Sequence, residues 1–227
     1  MMKEVHSFDT LITQLETLEK ILPEQLDQFV TFNKAYLIIT SAIQSAARTG
    51  YFKNPEFIEK FTVGFARYYF TAIDQTLAHD PGLPEAWQLV SKAKKGRGTP
   101  EFILLLMGAN AHINHDLPLT LNMLIKNQRG SGLLKDVLKI DKLLLISGKQ
   151  ILQTFDERNR GIDLFKRRLV FLYYYPAMWL ILYWRIKAWR NYRKIEKLGV
   201  DASKYQATSI RTAKRFLKFV SNNSSRN

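Results

Sequence analysis

"FILLLMGANAHINHDLPLTL", Phe102 to Leu121, decides how the rest of the chain is read. An unbroken apolar run leads into a segment with two histidines, two asparagines and an aspartate. The stretch shows no strand-like alternation, and on a helix residues four apart share a face. Placed on a helix, His112, His115 and Asp116 converge on one side, while Asn110 and Asn114 fall on the opposite side. Ala109, Ala111 and Ile113 separate the two. A helix with this pattern belongs between other helices, not on the surface. Pro118 has no N–H to give, and its ring crowds the Asn114 carbonyl. The sequence therefore predicts a buried central helix over about 100–117 that kinks or ends there.

Helical stripes extend outward from this segment. Leu11, Ile12, Leu15, Leu18, Ile21 and Leu22 make one, which Pro23 is expected to close. Phe29, Phe32, Tyr36, Ile39, Ile43 and Ala46 make the next, ending at Gly50, a residue suited to the left-handed C′ position. Asn54-Pro55-Glu56 and Thr99-Pro100-Glu101 each read as N-cap, N1 proline and first-turn acid. A short helix surrounds Trp87 and ends at Gly96. "KKGRGTP" and "NQRGSG" are loops. Two more helices cover roughly 134–155 and 162–197, and Ser203 with Gln206 makes a capping box for a last one. The fold class is all-α: a single domain over 1–222, a bundle of about eight helices with basic C-terminal helices over about 162–222, and a polar tail at 223–227.

Composition sets further bounds. The chain of 227 residues has no cysteine, which excludes disulfides, thiolate metal sites and a cysteine nucleophile. The net charge of +14 is uneven. Residues 1–160 carry 19 Lys and Arg against 17 Asp and Glu; residues 161–227 carry 15 against three, Asp163, Glu196 and Asp201. So basic a segment is either a solvated face or a surface for an anionic partner. The first residues lack the apolar region of a secretory signal, so a cytoplasmic location is expected. Leu169 to Trp184 is uncharged but short for a bilayer span. It is expected to be a fully buried core helix, with peripheral membrane contact as the alternative. The mixed bases and aromatics of "YWRIKAWRNYRK" also occur on nucleic-acid surfaces, the weakest of these partner readings. No P-loop, Rossmann glycine pattern, GxSxG elbow or HExxH is present.

The chemistry is concentrated at His112 and Asp116. At i, i+4 they can ligate one ion, and a zinc site needs at least three protein ligands. His79 is the candidate third, with Asp80 or Asp74 nearby. Without an ion, Asp116 would fix the His112 tautomer in a buried hydrogen-bond network. Arg185, close to the end of a long apolar run, should be buried and need a carboxylate: Asp116, Asp136 or Asp141.

"NAHINHDL", Asn110 to Leu117, is similar to the NAHIN-x-DL signature of an uncharacterised bacterial family of helical proteins, a domain of unknown function. "FARYYFTAID" (65–74), Ala86-Trp87, "KDVLKIDKLL" (135–144) and "RIKAW" (185–189) extend the likeness. The resemblance implies roles for Tyr69, Trp87, Asn110, His112, Asn114, Asp116, Arg185 and Trp189. This chain departs from the pattern at His115, usually apolar, which implies a peripheral role there, and at Asp141, where asparagine is commoner. A fainter similarity is to zinc-dependent phospholipase C and P1-type nucleases, which have H-x-x-x-D followed by proline on a helix. Those proteins use many more histidines, so a trinuclear centre is not expected here.

Two functions follow as expectations. One is a hydrolase, assisted by a divalent metal such as zinc, acting on an anionic or amphipathic small molecule. Its catalytic residues would be His112 and Asp116, its metal ligands His112, Asp116 and His79, and its supporting polar network Asn110, Asn114, Arg185, Asp141, Tyr69 and Trp87. The other is a non-enzymatic binding module that uses its basic, aromatic C-terminal third on an apolar ligand, a membrane surface or nucleic acid.

Overall fold

The computed structural model describes residues 4–93, 100–125, 132–158 and 164–198, with a few positions between 210 and 218; within the last two long helices, side chains are described up to Ile151 and again from Tyr175. The described elements are all helical: α1 (Phe8–Gln25), a 3-10 turn (Asp27–Phe29), α2 (Val30–Arg48), α3 (Pro55–Leu77), α4 (Glu85–Lys92), α5 (Glu101–Ala111), a π-helical segment (His112–Asp116), α6 (Leu117–Ile125), α7 (Leu133–Arg158) and α8 (Leu164–Leu198). The chain is an all-α bundle around one core. Thr99, Gly96 and the Ser203–Gln206 box lie outside the described residues.

Helix boundaries follow local chemistry. Ser7 opens α1 with a reciprocal cap, its Oγ accepting the Thr10 N–H while Thr10 Oγ1 accepts the Ser7 N–H. Pro23 does not close α1, which runs two residues further to Gln25. Gly50 follows α2 at φ 75°, the left-handed conformation expected of it. Pro55 is the first residue of α3, but Asn54 does not cap that helix with its side chain. Both its backbone N–H and its Nδ2 instead donate to Asp136 Oδ2, at 2.7 and 3.2 Å, tying the start of α3 to α7.

The central helix differs most from its expectation. It neither kinks to a stop nor ends at Leu117. It passes into α6 through the π segment, where the Leu117 N–H donates to the His112 carbonyl, five residues back. Proline costs an α-helix one donor and crowds the carbonyl four residues earlier. Widening the turn just before Pro118 relieves that crowding without ending the helix. All five π residues are buried. Upstream, α5 packs so closely on α2 that a Cβ at Gly108 would lie 2.6 Å from the Phe32 ring.

The expectation that Leu169–Trp184 is buried on all sides is corrected over its described part. Ala177, Met178, Ile181 and Trp184 face the core, but Tyr175, Trp179 and Tyr183 are exposed. Their i, i+4, i+8 spacing puts them on one stripe. Among the described residues, no helix is long and apolar enough to cross a membrane.

Candidate active site

The site is built on the π segment. His112 Nδ1 lies 2.8 Å from Asp116 Oδ2, and His115 Nδ1 lies 2.6 Å from Asp116 Oδ1. Trp87 Nε1, from α4, donates to both oxygens of the same carboxylate at 3.3 and 3.2 Å. Thr120 Oγ1 closes the cluster from below by donating to the Asp116 carbonyl. One fully buried aspartate is thus held by two imidazoles and an indole.

Burial alone would raise the Asp116 pKa, but the hydrogen bonds from His112 and His115 outweigh it and hold the acid below its ordinary range. Burial also disfavours the imidazolium of His112, and although Asp116 opposes this, the His112 pKa is lowered, with Arg185 and His115 contributing to the fall. At neutral pH the pair is therefore a carboxylate and a neutral imidazole. A carboxylate can only accept, so Nδ1 carries the proton and Nε2 the lone pair.

The imidazole sits in an aromatic box. Phe65 stacks on it with ring centroids 3.6 Å apart, and Tyr36 and Phe32 meet it edge-on at 4.9 and 5.7 Å. The box opens on a mostly apolar cavity of about 110 Å³ bounded by α2, α3, α5, α7 and α8. His112 is among the residues that line this cavity and Asp116 is not. Three buried polar atoms on lining residues have no hydrogen-bond partner among the described residues: His112 Nε2, Tyr36 Oη and Arg185 Nη2. Buried polar groups are normally satisfied, so three orphans around one cavity mark a place for a polar ligand group.

Arg185 is buried, as its sequence context requires, and of the three candidate partners it is Asp141 that accepts its Nε–H. Asp136 belongs elsewhere, with Asn54 and Lys139. Trp87 is brought to the cluster by α4. Tyr69 touches it only through rings, its hydroxyl donating to Asn33 Oδ1. Asn114 Nδ2 donates to Asn110 Oδ1, a buried pair within the helix on the face away from Asp116.

Two expectations need correction. His79 does not join His112 and Asp116: it follows α3 in a turn at φ 52° and lines a separate groove with Pro23 and Gln88. Among the described residues no three His, Asp or Glu side chains form a metal site. The donor set explains this, since Asp116 already accepts from an indole and two imidazoles. His115 is not peripheral. It is buried and shares the carboxylate with His112, a contact that its position beside Asp116 could have suggested. The roles of Phe65 and Tyr36 carried no sequence signal beyond their place on apolar stripes.

A model described as a family of unknown function, DUF5995, matches residues 8–221, so the chain belongs to that family. No curated protein and no solved structure matches it.

Proposed function

We propose that this member of the family is a hydrolase in which His112, oriented by Asp116, is the general base acting on an amphipathic small molecule held in the apolar cavity. One observation carries the reading: Nδ1 of a buried imidazole is fixed on a carboxylate while its Nε2, on a residue that lines the cavity, is left without a partner among the described residues. In such a site, water gives a proton to Nε2 as its oxygen bonds to the electrophilic carbon of the substrate. The proton then passes to the leaving oxygen as that carbon–oxygen bond breaks, and the imidazole returns to its starting state. Asp116 keeps the ring in the productive tautomer and stabilises the transient imidazolium. The test is hydrolysis of p-nitrophenyl esters by the full chain and by His112→Gln. The expected result is a loss of about 10²–10⁴-fold in the variant with the fold retained; equal rates would reject the base.

A second reading is favoured by the exposed α8 stripe of Tyr175, Trp179 and Tyr183, continued by Ile186 and followed by the exposed bases Arg190, Arg193 and Lys194. Aromatic residues next to cations suit an anionic membrane surface. Co-sedimentation with phosphatidylglycerol vesicles, weakened by Trp179→Ser and by salt, is its expected outcome. Binding unchanged by both would set it aside.

A further inference from the structure

The cavity has a direction. Ile140, Leu144 and Ile151 line it from α7, and Ala177, Ile181 and Arg185 from α8. Arg185 is bonded to Asp141, next to Ile140, and α8 starts at Leu164 soon after α7 ends at Arg158, too short a link to run back along α7, so the two helices run antiparallel, with Ile151 near the Ala177 end. From Ile140 to Ile151 the helical rise is about 16 Å, and from Ala177 to Arg185 about 12 Å. The α7 and α8 walls along this length are apolar, Gly148 adds no side chain midway, and Phe61 and Phe102 add rings to the lining from α3 and α5. The polar atoms are gathered elsewhere. Arg185 Nη2 belongs to the Asp141 end, and α8 packs against the π segment that carries His112, both residues lining the cavity. An apolar space walled along two antiparallel helices, with a buried cation at one end, has the polarity of a single-chain lipid.

We infer that the cavity takes one unbranched fatty-acyl chain, laid between α7 and α8, with its carboxyl-level oxygens read by Arg185 Nη2 beside His112. This rests on the hydrolase reading for which end reacts, and it narrows the substrate to a fatty-acyl ester whose acid product is a long-chain carboxylate. Arg185 accounts for the choice. Its Nε is spent on Asp141, which fixes the guanidinium, and its free Nη2 faces an oxygen that becomes more negative as water adds and stays negative in the product. A cationic head would be repelled, and an alcohol oxygen would accept from that donor without the charge-assisted bond that a carboxylate makes.

The experiment is calorimetric titration of the full chain with sodium laurate, dodecanol and dodecyltrimethylammonium bromide, each below its micelle-forming concentration. Laurate is expected to bind one to one, at least tenfold tighter than dodecanol, with dodecyltrimethylammonium weakest. Gly148→Leu, which fills the middle of the cavity, should abolish laurate binding. Arg185→Gln should remove the preference for laurate over dodecanol. Should Arg185→Gln fail to fold, the order of the three ligands and the Gly148→Leu result still decide. Equal affinity for the anionic and cationic amphiphiles, or laurate binding unaffected by Gly148→Leu, overturns the inference. Failure of the underlying reading looks different. Laurate binding without His112-dependent ester hydrolysis keeps the ligand class and removes the base. His112-dependent hydrolysis of p-nitrophenyl acetate without laurate binding keeps the base and removes the ligand class.

Discussion

The His112 imidazole lies almost parallel to the Phe65 ring, with centroids 3.6 Å and planes 12° apart. Phe65 therefore fixes the plane in which the His112–Asp116 bond is made, and so the direction of Nε2. Phe65→Leu removes the stacked face while keeping most of the apolar volume. It should cost about 1 kcal/mol of stability but lower turnover or ligand affinity more than that cost suggests. Thermal denaturation beside kcat and KM separates the two effects, since a purely packing role would leave both kinetic constants unchanged.

How much of this arrangement the sequence shows depends on the range of the interaction. The i, i+4 pair of His112 and Asp116 follows from helical geometry alone, and so does the separate face of Asn110 and Asn114. The burial of Arg185 is legible because one charge adjoins an apolar run, although the choice among Asp116, Asp136 and Asp141 is not, because it depends on how α7 meets α8. Pro118 reads as a break by its own chemistry, and only the widened turn around His112–Asp116 explains why the helix continues. Phe65 and Tyr36 sit on apolar stripes, where spacing cannot tell a ring that packs on leucine from one that packs on histidine. The half-exposed α8 was hidden for a related reason: an uncharged run shows no polar face, yet Trp179 is 72% exposed.

Asp116→Asn tests the carboxylate. The amide could accept from Trp87 or from one imidazole, but it carries no charge and offers an NH₂ where a second acceptor is needed. A loss of about 3 kcal/mol is expected, together with loss of the preferred His112 tautomer. Urea denaturation checks the first, and stability equal to the parent chain would show that the cluster contributes little.

Acid should destabilise the fold in two stages. The folded His112 pKa is below the ordinary value of about 6.5, so as pH falls through 6.5 the unfolded chain takes up a proton that the folded chain resists, and stability declines. Asp136 acts lower. Burial would raise its pKa, but Lys139, the N–H groups of Lys53 and Asn54, and the Asn54 side chain bring it down from 3.8 to about 2. Its contribution, about 2 kcal/mol, is present above pH 4 and lost as pH falls towards 2. Melting temperature against pH should show both stages, and His112→Gln should remove the upper one. An upper stage that persists in the variant would assign it to another group.

Gly108→Ala tests the close approach of α5 and α2. The added Cβ would lie 2.6 Å from the Phe32 ring, whose position is shared with Tyr36 and Tyr69. The ring must move, at a cost of about 1–3 kcal/mol, despite alanine being the better helix former. A stabilised variant would mean that α2 gives way freely.

The availability of His112 Nε2 can be read directly by nitrogen-15 NMR of the histidine side chains in the full chain, recorded across neutral pH. A neutral ring protonated on Nδ1, with an unprotonated Nε2 and a titration midpoint below 6.5, is expected for His112. Loss of that tautomer preference in Asp116→Asn would complete the result. An imidazolium at pH 7, or a proton on Nε2, would leave no base at the cavity wall and would refute the proposed chemistry.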